Sequence, residues 1–307
     1  MENVSVAIAS IGRETLLGTL RSLAGVAVPD GVSLDVLVAD DSADGAATRL
    51  VASEPPGRLS VTCLPVASGN IATARNALLD SAGGDWLIFV DDDEWVEADW
   101  LEKLLACQKE FNADVVIGPV RPDYPEETPA WLRRANPLYV DWGHRGKRLP
   151  TGRGGNTLVR TRLFRDLGLR FDEAYGRTGG EDTVFFAEAA RKGARIFATD
   201  DAVAHEHIPA ERLDPGYILR RGLRSGQSYG EMCLAGSPGL VRQALFALGT
   251  VSKCAVAGGL SAVLRPIDRA RSFRMRQKLA LNTGKLRAVF GLPLAELYSR
   301  PDHTNLN

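Results

Sequence analysis

The stretch LIFVDDDEWVEADW, residues 87–100, runs from four apolar residues straight into Asp91, Asp92 and Asp93. Strands of a parallel sheet deliver the residues at their C-terminal ends to the crevice where ligands bind. Three carboxylates crowded at that edge repel one another unless a cation or hydrogen-bond donors offset their charge, and oxygen ligands of this kind favour Mg²⁺ or Mn²⁺. The stretch therefore predicts a buried strand followed by a candidate divalent-metal site.

An apolar strand followed by Asp-x-Asp has other uses, because it also opens phosphatases of the haloacid dehalogenase type and some helix N-caps. Two features of this chain weigh against a phosphatase. The motif lies on the fourth predicted strand, and Glu94 and Trp95 stand where such phosphatases are expected to carry a threonine.

The chain around this motif alternates between strand patterns and helix patterns. Such an order predicts an α/β fold with a Rossmann-like, mostly parallel central sheet. The predicted strands cover residues 4–10, 34–39, 59–64, 86–90 and 113–118, and the predicted helices cover residues 13–23, 43–53, 71–81 and 98–111.

The pattern breaks between residues 119 and 150, where six prolines and two tryptophans predict a long loop. Regular structure returns at residues 154–168, in a glycine-led helix at 179–193, and in one or two strands within 194–209. We therefore expect an α/β domain at residues 1–210 and a basic, helical C-terminal extension at residues 211–307.

Composition and charge narrow the class of protein. The 307 residues are 45% hydrophobic and 24% charged, which is ordinary for a soluble chain that buries a full core. A formal net charge of -1 provides no overall field that would recruit nucleic acid. The four cysteines form no CxxC pair, and the N-terminus MENVSVAIAS carries no secretion signal. These features predict a cytoplasmic protein that does not bind nucleic acid.

The C-terminal part combines an apolar stretch with a basic one. Residues 244–264 carry Lys253 as their one charge, and five arginines follow between residues 265 and 276. The apolar stretch nearly reaches the roughly 20 residues that span a bilayer, but its lysine and many small residues disfavour spanning. Two interpretations remain open: an interfacial helix on the anionic inner face of the cytoplasmic membrane, and an ordinary helical subdomain with a solvated basic face.

Four motifs occur in the order that is typical of one enzyme family: VSVAIAS at residues 4–10, LVADDSADG at 37–45, the run from Ser68 through the triplet to Trp95, and GGEDTVFFAEAARKG at 179–193. Over residues 4–210 the chain resembles the family 2 inverting glycosyltransferases, which have a GT-A fold. Within that family it is most similar to bacterial exopolysaccharide glucosyltransferases of the succinoglycan type, which act on lipid-linked intermediates.

The resemblance implies which residues bind the nucleotide-sugar donor. Asp41 matches the aspartate that accepts a hydrogen bond from uracil, although Asp40 and Asp41 also suit a turn or an N-cap. Arg75 and Asn76 match donor-site positions, where arginine meets a diphosphate or a carboxylate; a solvated helix face is the alternative. The other donor contacts that the resemblance implies are Ala9, Asp91 toward the ribose, Asp92 in support, and Arg224.

The resemblance also implies a metal ligand and a catalytic base. Asp93, the last aspartate of the triplet, is implied as the ligand of a Mn or Mg ion that bridges the diphosphate. His205 and His207 alternate along a predicted strand, so both point to one face, and either suits a third ligand. Asp182 is implied as the general base for the acceptor hydroxyl, with Glu181 orienting acceptor or base. Compensation of a helix N-terminus is the structural alternative for this acid pair.

Two further segments are candidates for ligand contacts. The Gly-Gly-Asn sequence at residues 154–156 suits a backbone that approaches the sugar closely, with a plain loop as the alternative. Arg220, Arg221 and Arg224 lie on a predicted helix and are candidates for contact with the donor diphosphate or with the pyrophosphate of a lipid carrier.

The sequence therefore predicts a metal-dependent, inverting hexosyltransferase that moves one sugar from a nucleotide sugar, UDP-linked by resemblance, to a glycan or lipid-linked oligosaccharide. The Gln-x-x-Arg-Trp signature of processive synthases is absent, which favours one sugar per acceptor. A nucleotidyltransferase is the second candidate, but the loop after the first strand offers only Arg13 where that class needs a Gly-rich basic loop. A non-catalytic nucleotide-sugar or polysaccharide binding protein is the third, and the intact pair Glu181 and Asp182 argues against it.

Overall fold

The computed structural model describes residues 1–54, 57, 59–235 and 239–295. The chain divides into two compact units, and the second takes two short segments from within the span of the first. The sequence division at residues 210 and 211 did not include those two segments. The first unit consists of Met1–Asp123, Tyr139–Gly176 and Glu181–His207, and the second of Tyr124–Leu138, Arg177–Gly180 and the chain from Ile208 onward.

The first unit alternates strands and helices, and the predicted strands and helices of residues 4–111 are all present with ends within three residues of the predicted ones. Its strands are β1 (Glu2–Ser10), β2 (Val32–Asp40), β3 (Ser60–Pro65), β4 (Trp86–Phe89), β5 (Glu94–Val96), β6 (Val115–Ile117), β7 (Val120–Asp123), β8 (Thr157–Arg160), β9 (Ile196–Ala198) and β10 (Ala204–His207). Its helices are α1 (Thr15–Ala24), α2 (Ala46–Ser53), α3 (Ile71–Ser81), α4 (Trp100–Phe111), α6 (Arg162–Arg165) and α7 (Glu181–Arg191).

Among the described residues, seven strands form the main sheet in the order β3-β2-β1-β4-β8-β6-β9. The strand β8 is antiparallel to both of its neighbours, and the remaining pairs are parallel. Strands β5, β10 and β7 form a separate three-stranded sheet. The predicted α/β fold with a mostly parallel sheet is confirmed.

The central strands are apolar on both faces because helices cover both sides of the sheet. Val6 and Ile8 of β1 belong to the core layer that includes the buried side chains of α1 and α4. Ala7 of β1 and Phe89 of β4 belong to the opposite layer, with the buried side chains of α3 and α7. Parallel pairing brings the C-terminal ends of β1, β2 and β4 to one edge, where the polar motifs begin.

The prediction of one long loop at residues 119–150 was wrong. The segment contains strand β7 and the six-residue helix α5 (Ala130–Ala135), which belongs to the second unit. Both elements are short, and Pro122 lies within the strand, so neither produced a recognisable period in the sequence. The first unit uses β7 as the parallel neighbour of β10.

The second unit contains three long helices, α8 (Pro215–Leu234), α9 (Leu240–Leu264) and α10 (Arg269–Val289). The helical character predicted for this part of the chain is confirmed over its described residues. Two glycines let the backbones of α8 and α10 touch: a Cβ on Gly226 would overlap the backbone at Leu281, and one on Gly284 would overlap the backbone at Leu223. These two helices therefore form a fixed pair.

Asn156 connects three parts of the first unit at a fully buried position. Its Oδ1 accepts a 2.7 Å hydrogen bond from the Trp100 indole, and its Nδ2 donates to the carbonyls of Pro119 and Ala202 at 2.8 and 2.9 Å. Its backbone adopts a left-handed conformation, with φ of 45°. Asn156, predicted as part of a sugar-contacting loop, thus uses its amide group inside the protein.

We expect Asn156→Ala to lower the free energy of unfolding by about 3 kcal/mol or more, because three buried polar groups lose their partner. Urea denaturation measures this change. Asn112→Ala is the matched control, since Asn112 also has a positive φ but is exposed; its cost should stay near about 1 kcal/mol. Equal costs for the two variants would mean that backbone conformation, and not the hydrogen bonds, makes Asn156 necessary.

Candidate active site

Asp40 ends β2 and fixes the turn that leads into α2. Its carboxylate accepts hydrogen bonds from the backbone N–H and the hydroxyl of both Ser42 and Thr48, at 2.5–3.2 Å. Burial alone would raise the pKa of Asp40, but these hydrogen bonds outweigh burial and lower the pKa to about 2. Asp40 therefore takes the turn-forming role that the sequence left open between the two aspartates.

Asp41 joins the end of β2 to the turn that precedes α3. Its Oδ1 accepts from the backbone N–H groups of Ser68 and Gly69 and from the Ser68 hydroxyl at 2.6–3.0 Å, and its Oδ2 accepts from the Asn70 N–H at 3.0 Å. A carboxylate oxygen has two lone pairs. Oδ2 therefore retains the capacity to accept one further hydrogen bond.

Arg13 holds two members of the acidic triplet. Asp92 is buried, accepts a 2.6 Å hydrogen bond from the Ser10 hydroxyl, and lies 3.2 Å from Nη2 of Arg13. Nη1 of the same arginine donates to Asp93 at 2.9 Å. In the sequence, Arg13 was noted only because it was too little to form the basic loop of a nucleotidyltransferase. In the structure it is a counter-charge for the triplet.

The buried Arg75 of α3 joins the acidic triplet to the acid pair of α7. Its Nη1 lies 2.5 Å from Oε1 of Glu181, and its Nη2 donates to Oδ1 of Asp91 at 3.2 Å. Its guanidinium carbon also lies 5.6 Å from the centre of the Phe171 ring. Of the two partners that the sequence left open for Arg75, diphosphate and carboxylate, the described contacts are with carboxylates.

Glu181 and Asp182 begin α7 but have different surroundings. Burial raises the pKa of Glu181 to about 7, with Asp182 and Asp91 adding to the rise and Arg75 opposing it. Asp182 is partly exposed; its Oδ2 accepts a 3.1 Å hydrogen bond from the Gly154 N–H, and its Oδ1 accepts from the Thr183 N–H at 2.6 Å. Glu181 is thus bound to an arginine inside the protein, and Asp182 is the member of the pair that is accessible to a ligand.

The two glycines of residues 154–155 bring the backbone against charged side chains. A Cβ on Gly154 would overlap the guanidinium of Arg75, and a Cβ on Gly155 would overlap Oε1 of Glu94. The close backbone approach that the sequence predicted here is therefore an approach to Arg75 and Glu94. Larger residues at either position would displace the ion pairs of the site.

Glu94 and Arg153 form a second ion pair, which sequence reasoning missed. Oε1 of Glu94 accepts from Nη2 of Arg153 at 3.3 Å, and Oε2 accepts from the backbone N–H of Asp91 at 3.2 Å. Burial, together with Asp91 and Glu206, raises the pKa of Glu94 well above its usual range, and Arg153 opposes that rise. The sequence signal was position: Glu94 directly follows the triplet, and Arg153 directly precedes the glycine pair.

The three-stranded sheet distinguishes the two histidines that the sequence offered as metal ligands. The antiparallel register of β5 and β10 pairs His205 with Trp95, and the N–H of His207 donates to the Asp93 carbonyl at 2.9 Å. The His205 ring stacks on Trp95 with centroids 3.9 Å apart, and its Nε2 lies 3.4 Å from Oε1 of Glu97. His207 is therefore the histidine beside the acidic triplet.

Asp93 and His207, whose backbones are joined by this hydrogen bond, carry a carboxylate and an imidazole, which are donor types that suit Mn²⁺; the carboxylate also suits Mg²⁺. Within the part of the chain that the structure describes, no three His, Cys, Asp or Glu side chains converge closely enough to hold a metal ion unaided. Such an incomplete set fits an ion that the phosphates of a substrate help to hold, which is the usual arrangement for Mg²⁺. The residues present therefore fit a metal that binds together with a diphosphate.

Two other predicted donor residues have partners inside the first unit. Ala9 is half-buried on β1 and packs against the core layer that includes α3. The amide of Asn76 donates to the Phe171 carbonyl and accepts from the Phe171 N–H, each at 2.9 Å. Asn76 thus ties α3 to the segment that precedes α7.

Arg224 lies on α8 in the second unit, and it is fully buried. Its Nε donates to the Thr178 carbonyl at 3.1 Å, its Nη1 donates to the Ser228 hydroxyl at 2.7 Å, and its Nη2 contacts the Gly179 carbonyl. Arg220 lies one turn earlier and is exposed. Arg224 therefore anchors the short segment Arg177–Gly180, which directly precedes the acid pair in the chain.

The family model for "Glycosyl transferase family 2" matches residues 5–168, which include the acidic triplet and the glycine pair. The succinoglycan biosynthesis protein ExoM of Rhizobium meliloti (strain 1021) is 33% identical over 311 residues, which cover 99% of this chain and 98% of ExoM. The chain belongs to glycosyltransferase family 2.

Solved structures support the GT-A fold of this family member. S. aureus TarS 1-349 in complex with UDP superimposes with a TM-score of 0.52 and 18% identity, covering 99% of this chain and 95% of that one. In another TarS structure this chain covers 55% of the longer chain. The mannosyltransferase PcManGT from Pyrobaculum calidifontis, in complex with GDP-Man and Mn2+, gives a TM-score of 0.60 at 18% identity, covering 94% and 87% of the two chains.

The raised pKa of Glu181 predicts a pH-dependent stability. The unfolded side chain titrates near 4.5 and the folded one at about 7, so the folded state binds the extra proton between these values. This contribution to the free energy of unfolding is full below pH 4.5 and is lost as pH rises through about 7. Glu181→Gln should remove it, flattening the dependence by at most about 3 kcal/mol.

Urea denaturation of wild type and Glu181→Gln between pH 4.5 and 8 measures this effect. Glu188→Gln, on the same helix but bonded to the exposed Arg191, is the control and should keep the wild-type dependence. Parallel curves for wild type and Glu181→Gln would show that Glu181 has an ordinary pKa in the folded protein.

Proposed function

We propose that this glycosyltransferase moves one hexose from a UDP-linked donor to a hydroxyl group of a glycan or lipid-linked oligosaccharide, with inversion at the anomeric carbon. The observation that carries the proposal is the Arg75 bridge, which joins Asp91 of the acidic triplet to Glu181 of the acid pair. A donor held by the triplet then lies at the same sheet edge as the neighbouring carboxylate Asp182. Donor binding and proton removal are thus close together.

The UDP assignment rests on the end of β2 and on similar proteins. Oδ2 of Asp41 has a free lone pair that suits the imide N–H of uracil. TarS, which has the same fold, was solved with UDP and with UDP-GlcNAc. The fold alone does not choose the nucleotide, since PcManGT was solved with GDP-Man, and the aspartate favours uracil.

Asp93 and His207 are the residues that would hold a Mn or Mg ion, with the diphosphate completing the ligand set. Such an ion, when bound, offsets the negative charge that develops on the leaving diphosphate. His205 is assigned a different role, because its ring is stacked on Trp95. Trp95 is 39% exposed beside this site, and an exposed indole suits stacking against the acceptor sugar.

Asp182 is assigned as the general base. As the acceptor oxygen attacks the anomeric carbon, the bond from that carbon to the diphosphate breaks, and the hydroxyl proton passes to the Asp182 carboxylate. The Gly154 and Thr183 N–H groups orient this carboxylate. Arg75 holds Glu181 against the protein, which leaves Asp182 as the carboxylate of the pair available for the acceptor.

The acceptor is assigned by similarity. ExoM, the near-full-length relative, is a succinoglycan biosynthesis protein, and we assign this chain to exopolysaccharide or cell-envelope synthesis on the same basis. Because the proposed acceptor class includes lipid-linked oligosaccharides, the proposal includes attachment to an anionic membrane surface. Among the described residues, one helix, Leu240–Leu264, is long and apolar enough to cross a membrane by length and composition.

Metal-dependent donor binding should depend on Asp93 and His207 but not on His205. We expect Asp93→Ala and His207→Ala each to weaken UDP binding in Mn²⁺ by at least about tenfold, because each removes a metal ligand. Calorimetry with UDP, in Mn²⁺ and in chelator, measures this effect. His205→Ala and the surface variant Asp99→Ala should retain wild-type affinity; an unchanged affinity in Asp93→Ala would contradict the metal assignment.

Asp182→Asn tests the chemistry separately from binding. The amide keeps the shape of the side chain but accepts no proton, so transfer should fall at least about a hundredfold while UDP affinity stays near normal. Released nucleoside diphosphate is measured with the donor that a screen of nucleotide sugars in Mn²⁺ or Mg²⁺ selects. Asp214→Asn is the control, since Asp214 also lies at a helix start, where its side chain accepts a hydrogen bond from the Tyr217 N–H, and it belongs to the second unit.

The competing interpretation of Asp182 is a helix-start charge, whose loss costs under about 1 kcal/mol of stability and leaves turnover nearly intact. The two interpretations thus differ by orders of magnitude in rate. If Asp182→Asn keeps most of the transfer rate, Glu181 becomes the candidate for the general base.

A further inference from the structure

The helix α9 exposes most of its apolar side chains. It has 25 residues, and 11% of its most apolar 18-residue stretch is buried. A core helix of similar composition would be mostly buried. The exposed fractions run from 45% to 84% for Leu240, Val241, Leu245, Leu248, Val251, Val256, Leu260 and Val263.

These residues occupy one side of the helix. At 100° per residue they fall within about half of the circumference, together with exposed alanines and glycines and with Ser252. The two charged residues of α9, Arg242 and Lys253, lie at one border of this half. The opposite side holds the buried Thr250 and Ala257. The exposed side is therefore an apolar face whose one polar residue, Ser252, donates its hydroxyl to the Leu248 carbonyl at 3.1 Å. We call this side the α9 apolar face.

The opposite side of α9 packs on α10. The Ser272 hydroxyl donates to the Ser261 carbonyl at 2.7 Å, and Gly258 meets the Leu279 side chain. Helix α10 contains no acidic residue and carries seven cationic ones: Arg269, Arg271, Arg274, Arg276, Lys278, Lys285 and Arg287. The α9 apolar face and a strongly basic helix are thus parts of the same pair.

This packing disfavours one of the two ways in which an apolar helix meets a bilayer, namely spanning it. At 1.5 Å per residue, α9 is long enough to span the hydrocarbon core. Spanning would carry the cations of α10 to the same depth, where charged side chains are strongly unfavourable. The backbone contacts at Gly226 and Gly284 hold α10 on α8, so α10 could follow α9 into the bilayer only together with α8. A helix lying in the plane of the interface has neither problem.

We propose that α9 is a membrane-docking helix that lies parallel to an anionic lipid surface, with the α9 apolar face in the boundary between headgroups and acyl chains. The exposed arginines of the first half of α10 then meet the anionic headgroups alongside it. The basic charge selects a lipid surface over a second protein copy, because two copies would bring two basic helices together. This inference does not depend on the glycosyl transfer chemistry.

The test is flotation of the full-length chain with vesicles at low salt. We expect binding to phosphatidylcholine vesicles containing phosphatidylglycerol, and at least tenfold less binding to phosphatidylcholine alone. Leu245→Ser with Leu248→Ser should reduce binding at least tenfold. The matched control is Val28→Ser with Leu167→Ser, which removes two exposed apolar side chains from the first unit and should leave binding unchanged. Circular dichroism verifies that both variants are folded.

Alkaline carbonate extraction distinguishes the interfacial arrangement from a spanning one. Carbonate should release a protein that is held by an interfacial helix, and we expect this release. Protein that resists extraction would overturn the parallel arrangement. Three results would overturn the assignment of the α9 apolar face to lipid. The first is absence of flotation, and the second is equal flotation of both double variants. The third is a dimer in solution that dissociates when Leu245→Ser and Leu248→Ser are introduced.

Discussion

The candidate site depends on the burial of one arginine. The Arg75 guanidinium has lost its water and is compensated by carboxylates from two distant parts of the chain, Glu181 and Asp91. A buried charge that loses one partner is strongly destabilising, so these groups have to be present together. The ion pairs thus fix where the start of α7 lies relative to the end of β4. The position of Asp182 follows, because it is the next residue along the helix.

The same constraint explains the glycine pair. The buried guanidinium lies so close to the backbone at residue 154 that any side chain there would overlap it, and glycine leaves that space. The N–H of Gly154 in turn donates to Asp182. One residue therefore accommodates the arginine and orients the proposed base. The acidic triplet is organised in a similar way by Arg13, which contacts both Asp92 and Asp93 from the loop after β1.

The sequence predicted the fold well because continuous apolar runs and helical periods are local signals. It failed at residues 119–150, where β7 has four residues and α5 has six, too few for a period to emerge. The residue types of the site were also visible, since the triplet and the acid pair are local motifs. Their partners were not: Arg75 and Glu181 are 106 residues apart, and no local pattern indicates that contact.

The histidines illustrate the same limit. Alternation along a strand predicted that His205 and His207 share a face, and both then looked equivalent as ligands. The pairing of β10 with β5 distinguishes them, because it sets His205 against Trp95 and His207 against the carbonyl of Asp93. Strand register is a property of two segments more than 100 residues apart in this chain, and it therefore required the structure.

The charge balance of the site bears on the form in which a diphosphate can bind. Three guanidinium groups, those of Arg13, Arg75 and Arg153, lie among a larger number of carboxyl groups. Burial reduces the excess of negative charge because it raises the pKa of Glu94 and of Glu181. The remaining excess is negative, so a bare diphosphate would be repelled. The carboxyl groups concerned are those of Asp91, Asp92, Asp93, Glu94, Glu181, Asp182 and Glu206. A diphosphate that arrives with a divalent cation brings a positive charge that offsets its own negative charge.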